Sequence, residues 1–320
     1  MSIASISLPV QPQLLQVEKR LEEVVKTAPR QMVEPLEHAV QNGGKRIRPA
    51  LTLLAGKFHR YNLKLLIPMA AGVELLHTAT LIHDDTIDDA YLRRGKDSIK
   101  QRWGNSNAVL LGDYLFATSA GFVAETRNIR VIKLFAQTLM TICTGEIEES
   151  LYAFNNSREL YFQTIGNKTA SLFAAAGESG AVLSQAPEES IQALKDYGYN
   201  LGMSFQIVDD ILDFVGQKET LGKPVTNDLS QGVLTLPVIL LLERPDSTEA
   251  KRINQAIQED KAAAATVIAE VVHSSQVLEE CYRIAEGFSV RARSALEPLP
   301  RNKAYDSLAE MAGYVTERKS

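Results

Sequence analysis

Aspartates repeated four residues apart are the feature of this 320-residue sequence best suited to chemistry. The first set, in LIHDDTIDDAYLRRG, comprises Asp84, Asp85, Asp88 and Asp89. On a helix, that spacing stacks Asp84 above Asp88 and Asp85 above Asp89 on one face. Two carboxylates ~4 Å apart repel by about 4 kcal/mol at an effective dielectric near 20, so a cation is expected among them. The second set, in MSFQIVDDILDF, repeats the D-D-x-x-D pattern with Asp209, Asp210 and Asp213, and places Gln206 just upstream. Neither set has the D-x-D-x-D-G loop of a calcium site, and neither offers His or Cys at zinc spacing. Oxygen ligation of magnesium is the natural expectation. Magnesium takes few protein carboxylates and completes its shell with water and phosphate oxygens, so the expected substrate carries a diphosphate.

One D-D-x-x-D alone is as often a solvated helix face as a metal site. Both copies here are embedded in apolar sequence, Leu81, Ile82 and Ile87 around the first and Phe205, Ile207, Val208, Ile211, Leu212 and Phe214 around the second. Uncompensated carboxylates are costly in such surroundings. Basic residues stand at glycines or helix ends: Lys45, Arg46 and Arg48 in NGGKRIRPA, Arg93 and Arg94 in LRRGK, and Lys223 in LGKPVTNDL. Arginine forks match phosphate oxygens and lysine adds a point charge. Helix C-termini also collect Lys and Arg to complement the dipole, so LRRG by itself supports either role. IGNKTASLF lacks the first glycine and the strand of a Walker loop, which makes Lys168 and Thr169 part of a helical segment carrying a cation.

The elements that must hold these residues are helices. Alternating strand patterns and Asn-Gly hairpin turns are nearly absent, whereas apolar residues recur at helical spacing from Leu14 almost to Val315, which predicts an all-α chain. Breaks are expected at Asn42-Gly43-Gly44, Gly95, Gly104, Asn155 to Ser157, Pro187, Gly222 to Pro224, Pro245 and Pro298 to Pro300. No break combines length with Pro/Ser/Gly richness, so a mobile lead-in over residues 1–12 followed by one helical domain over 13–320 is the simplest organisation. The net charge of -5, with 34 Lys+Arg scattered and no basic stripe, excludes nucleic acid as the expected partner. Cys143 and Cys281 form no C-x-x-C pair, which fits a reducing cytoplasm. The N-terminus does not read as a secretory signal. The apolar run LTLPVILLL, Leu234 to Leu242, is about half the ~20 residues of a spanning helix, so a soluble chain with no transmembrane segment is expected.

Taken together, GGKRIRP, HDDTIDD followed by LRRG, GNKTASL, FQIVDDILD and GKP...DL resemble, in order and spacing, the trans-isoprenyl diphosphate synthase (polyprenyl synthetase) family between about Gly43 and Pro237. The resemblance implies an isoprenoid-synthase-type helical bundle, usually homodimeric, with the two aspartate motifs facing each other across a central cavity. It implies that Asp84, Asp85, Asp88, Asp209 and Asp213 hold magnesium, about three ions per active site. Arg93, Lys168, Gln206 and Lys223 would hold an allylic diphosphate, with Thr169 near the reacting carbon, and Lys45, Arg48, His77 and Arg94 would hold isopentenyl diphosphate. Lys168, Thr169, Gln206 and Arg93 thus carry the expected catalytic roles. Two stretches depart from the pattern: Thr226-Asn227 stands before Asp228 where the family commonly has glycine, and GEIEES, Gly145 to Ser150, is unusually acidic.

The implied chemistry is ionisation of the allylic C–O bond, attack by the isopentenyl double bond and loss of a proton to the released diphosphate, with water kept out. Ala79 and Thr80, five and four residues before Asp84, are small where short-chain relatives often place aromatics. The two-residue gap between Asp85 and Asp88 also differs from the bacterial short-chain type. Both point to the long-chain branch and a product of roughly eight to ten isoprene units, about 45 Å when stretched, which would partition to the membrane. Small residues equally serve close helix packing, and bulky groups deeper in a channel would cap a shorter, farnesyl or geranylgeranyl, product. Terpene cyclases share one aspartate-rich helix but usually lack the second motif and GGKRIRP. Non-catalytic subunits of heterodimeric synthases are expected to have lost aspartates that this chain keeps, so a catalytic subunit of a heterodimer also stays open.

Overall fold

The computed structural model describes residues 3–41, 44–93, 95–215, 232–259 and 261–318. Among them regular structure is helical, apart from one antiparallel ribbon pairing Leu92–Arg93 with Lys96–Asp97. The all-α expectation holds. The predicted lead-in carries a helical turn, Ile3–Ile6, and a second turn, Leu8–Val10, with Ile6 and Val10 fully buried. Thr226, Asn227 and Asp228 lie outside the described residues, as do Arg94 and Lys223.

The chain divides into two compact units. The first comprises residues 1–139, 172–198 and 295–311. At its centre runs the helix Leu63–Ile87, the first aspartate helix, which Asn62 caps by accepting from the Lys64 amide at 3.2 Å. It is apolar on nearly every side over its first half, as befits a helix surrounded by others. Its main neighbour is the helix Asn105–Glu125, and two glycines let the pair close up. A Cβ at Gly112 would fall 2.2 Å from His83 Nε2, and one at Gly72 would fall 3.2 Å from the Ser119 carbonyl oxygen.

Both of these helices are long and apolar enough to cross a membrane, by length and composition. Neither helix stands out as a continuous apolar run, because Glu74, Asp84 and Asp113 interrupt the pattern. The apolar stretch of the first helix is largely buried inside the fold, as in a core helix, whereas most of that of Asn105–Glu125 is not.

The second unit comprises residues 140–171, 199–294 and 312–320. Its core gathers Ile207, Val208, Ile211 and Phe214 with Val238, Ile239, Ile253, Ile268, Val271 and Cys281. The helix Arg158–Ile165 runs into one turn of π-helix, Gly166–Ala170, closed by the Ser171 amide donating to the Gly166 carbonyl. Such single wide turns inside helices are frequent at functional sites, and this one carries Lys168 and Thr169. Gly145 lets the helix Ile129–Leu151 approach it, since a Cβ there would fall 2.9 Å from Asn167 Cβ and from Lys168 Cγ.

Candidate active site

In the first unit, Asp85 is buried and points at Arg93, whose Nε donates to both carboxylate oxygens at 2.7 Å. Burial opposes the Arg93 charge, but hydrogen bonding to Asp85 and the fields of Asp85, Asp84 and Asp88 outweigh it and push the guanidinium above its ordinary range. Asp84 and Asp88 are half-buried, and the Asp88 amide donates to the Asp84 carbonyl in the last helical turn. Asp89 turns out of the helix with a φ of 52°, which a short polar side chain tolerates, and pairs with Lys100. The loop that returns Arg93 is tied down by Ser98, whose hydroxyl donates to the Ala90 carbonyl at 2.7 Å.

Asp85 and Arg93 line a pocket together with His77, Arg46 and Glu74. Arg46 bridges Glu18 and Glu74, each at 2.6 Å, so this member of the basic cluster is fixed within the fold. Lys45 is exposed. Arg48 is buried and lies 4.3 Å over the Phe173 ring, away from that pocket's lining. Ala79 is fully buried, and the Thr80 hydroxyl donates back to the His77 carbonyl at 2.8 Å; neither lines this pocket.

In the second unit the paired aspartates divide. Asp209 lies 2.6 Å from Arg318, whose guanidinium sits 3.9 Å over the Phe205 ring and also donates to the Phe205 carbonyl. Asp213 is exposed. Asp210 faces inward, where one oxygen accepts from the Tyr161 hydroxyl at 2.6 Å and the other from Gln206 Nε2 at 2.8 Å. Gln206 Oε1 in turn accepts from the Thr169 hydroxyl at 2.8 Å. Lys168, next in the π turn, reaches Glu146 at 2.9 Å and also Glu149. Burial disfavours its charge, but the two glutamates outweigh burial and raise its pKa. Lys168, Thr169 and Gln206, singled out from sequence, are therefore brought together. Tyr161, Glu146, Glu149 and Arg318 were missed. Only the Glu146/Glu149 pair left a signal, two carboxylates three apart on one helix face.

Among the described residues no three carboxylate, His or Cys groups form a closed metal cage. The half-buried Asp84 and Asp88 and the exposed Asp213 are hard oxygen donors of the kind that suit a hydrated divalent cation.

The profile of the Polyprenyl synthetase family matches residues 29–274. The heptaprenyl diphosphate synthase component 2 of Geobacillus stearothermophilus is 40% identical over 307 residues, covering 95% of each chain. The chloroplastic solanesyl-diphosphate synthase 2 of Oryza sativa subsp. japonica is 36% identical, over 99% of this chain and 80% of that one. Among solved structures, a polyprenyl synthase from Caulobacter crescentus, crystallised with calcium and isoprenyl diphosphate, superposes with a TM-score of 0.92 at 33% identity, over 100% of this chain and 98% of the other.

Proposed function

Because the chain belongs to the polyprenyl synthetase family and is a prenyltransferase, we propose that it condenses isopentenyl diphosphate with an allylic diphosphate (geranyl, farnesyl or geranylgeranyl) into a long-chain all-trans polyprenyl diphosphate, releasing diphosphate. The observation that carries this reading is that Asp85 and Arg93 line one pocket with His77, which sets a carboxylate for a cation beside a guanidinium for an oxyanion. Asp84, Asp85, Asp88, Asp209 and Asp213 would hold magnesium. Bound there, it would neutralise charge on the departing diphosphate. Arg93, Lys168, Gln206 and Lys223 orient the allylic diphosphate, while Lys45, Arg48, His77 and Arg94 hold the isopentenyl partner. Thr169 and the Gln206 carbonyl oxygen present dipoles to positive charge developing on the allylic carbon. Ala79 and Thr80 leave room for a long tail, in keeping with the heptaprenyl and solanesyl names of two relatives. We place the enzyme in the cytoplasm, with its product passing to a membrane.

The test is incubation of purified chain with magnesium, isopentenyl diphosphate and each allylic primer, followed by chromatography of the lipids. Long-chain products that require isopentenyl diphosphate and vanish on chelation are expected. Farnesyl or geranylgeranyl products would mark a short-chain enzyme, and turnover of primer alone would mark a cyclase.

A second reading concerns assembly. The Geobacillus relative is named as one component of a synthase, and helix Asn105–Glu125 shows an exposed apolar face including Val109 and Leu110. We favour a second copy of this chain as the occupant. A chain inactive alone but active with another subunit would show the heteromeric case instead.

A further inference from the structure

We propose that Tyr161 and Asp210 are positioning residues that fix which way the Gln206 amide points, an inference that rests on the catalytic role given above to Gln206. Four side chains form one chain of hydrogen bonds, Tyr161 to Asp210, Gln206 to Asp210 and Thr169 to Gln206, all between 2.6 and 2.8 Å. An ionised carboxylate only accepts, so the atom of Gln206 that meets Asp210 must be the NH₂. The carbonyl oxygen is then left on the side of Thr169 and the π turn, where a negative dipole favours a developing cation.

Asp210 performs this task only while its carboxylate plane is held. Tyr161 does so from a buried site, with a hydroxyl that donates to the far oxygen. The consequence for the second motif is a division of labour within D-D-x-x-D. Both oxygens of Asp210 accept from side chains of its own unit, whereas Asp209 meets Arg318 and Asp213 is exposed.

Two variants test this, each also made in a Gln206→Ala background. Tyr161→Phe keeps the ring and removes the donor. Asp210→Asn keeps the shape but offers Gln206 an NH₂ when its own oxygen takes the Tyr161 hydroxyl, which turns the Gln206 amide around. Each should lower kcat about tenfold, the order of one well-placed hydrogen bond, with KM for both diphosphates and the magnesium requirement within about twofold of wild type. In the Gln206→Ala background neither should cost more than about twofold, because the route through Gln206 is gone. Circular dichroism checks that each variant folds, and Asp210→Asn carries the test if Tyr161→Phe does not. An unchanged kcat, or an equal loss with and without Gln206, would overturn the proposal. If the wild-type chain makes no prenyl product, or Gln206→Ala is fully active, the underlying functional reading fails instead.

Discussion

Glu146 and Glu149 explain the acidic stretch that the sequence left without a role: both reach Lys168, and the neighbouring Glu148 accepts from Gln163 and Asn167. The π turn is thus held by carboxylates from the helix Ile129–Leu151. A residue-scale prediction concerns thiols. Burial, then the fields of Glu280 and Asp210, push the Cys281 thiol up to about 12, and only the thiolate is a competent nucleophile. At pH 8 a disulfide reagent should therefore leave Cys281 unmodified in the folded protein and reach it only in denaturant, while exposed Cys143 reacts. Peptide mapping after labelling reads this directly, and native labelling of Cys281 would contradict the burial. Aspartates at a spacing of four were legible because the spacing is local. Tyr161 and Arg318 were not, because each finds its partner 49 or 109 positions away, where only folding decides proximity.

Among helices, the breaks announced by Gly104, Pro187 and Pro245 fall between elements, since glycine and proline punctuate by backbone geometry. The break between Glu125 and Ile129 was not foreseen. There Arg127 takes a φ of 50°, with neither glycine nor proline to signal it. The π turn also left no periodic trace, because one wide turn shifts the apolar stripe too little to be read. Close helix approach is testable at Gly180, where a Cβ would fall 2.3 Å from the Thr52 carbonyl oxygen. Backbone cannot yield as a side-chain tip does, so Gly180→Ala should cost about 2 kcal/mol and lower Tm by roughly 4 °C in calorimetry. The first aspartate helix supports a second prediction. Ala79→Phe should shorten the prenyl product while leaving turnover of the first condensation largely intact; an unchanged product length would remove Ala79 from any channel.

At the scale of the molecule, the fold class was legible because apolar periodicity accumulates over hundreds of residues, but the division into two units was not. Each unit is built from separate segments, and the boundary at Gly198 falls inside the helix Glu188–Val215, so no linker composition marks it. The weakly buried apolar helix Asn105–Glu125 yields a prediction at this scale. Leu110 is 64% exposed, and Leu110→Lys should shift the mass measured by light scattering toward a single chain, whereas an unchanged mass would place the contact elsewhere. The ion pair between Arg318 and Asp209 has a practical corollary. A survey of relatives confined to residues 29–274, the stretch that the family profile matches, would overlook this anchor of the second aspartate motif, because Arg318 lies beyond it.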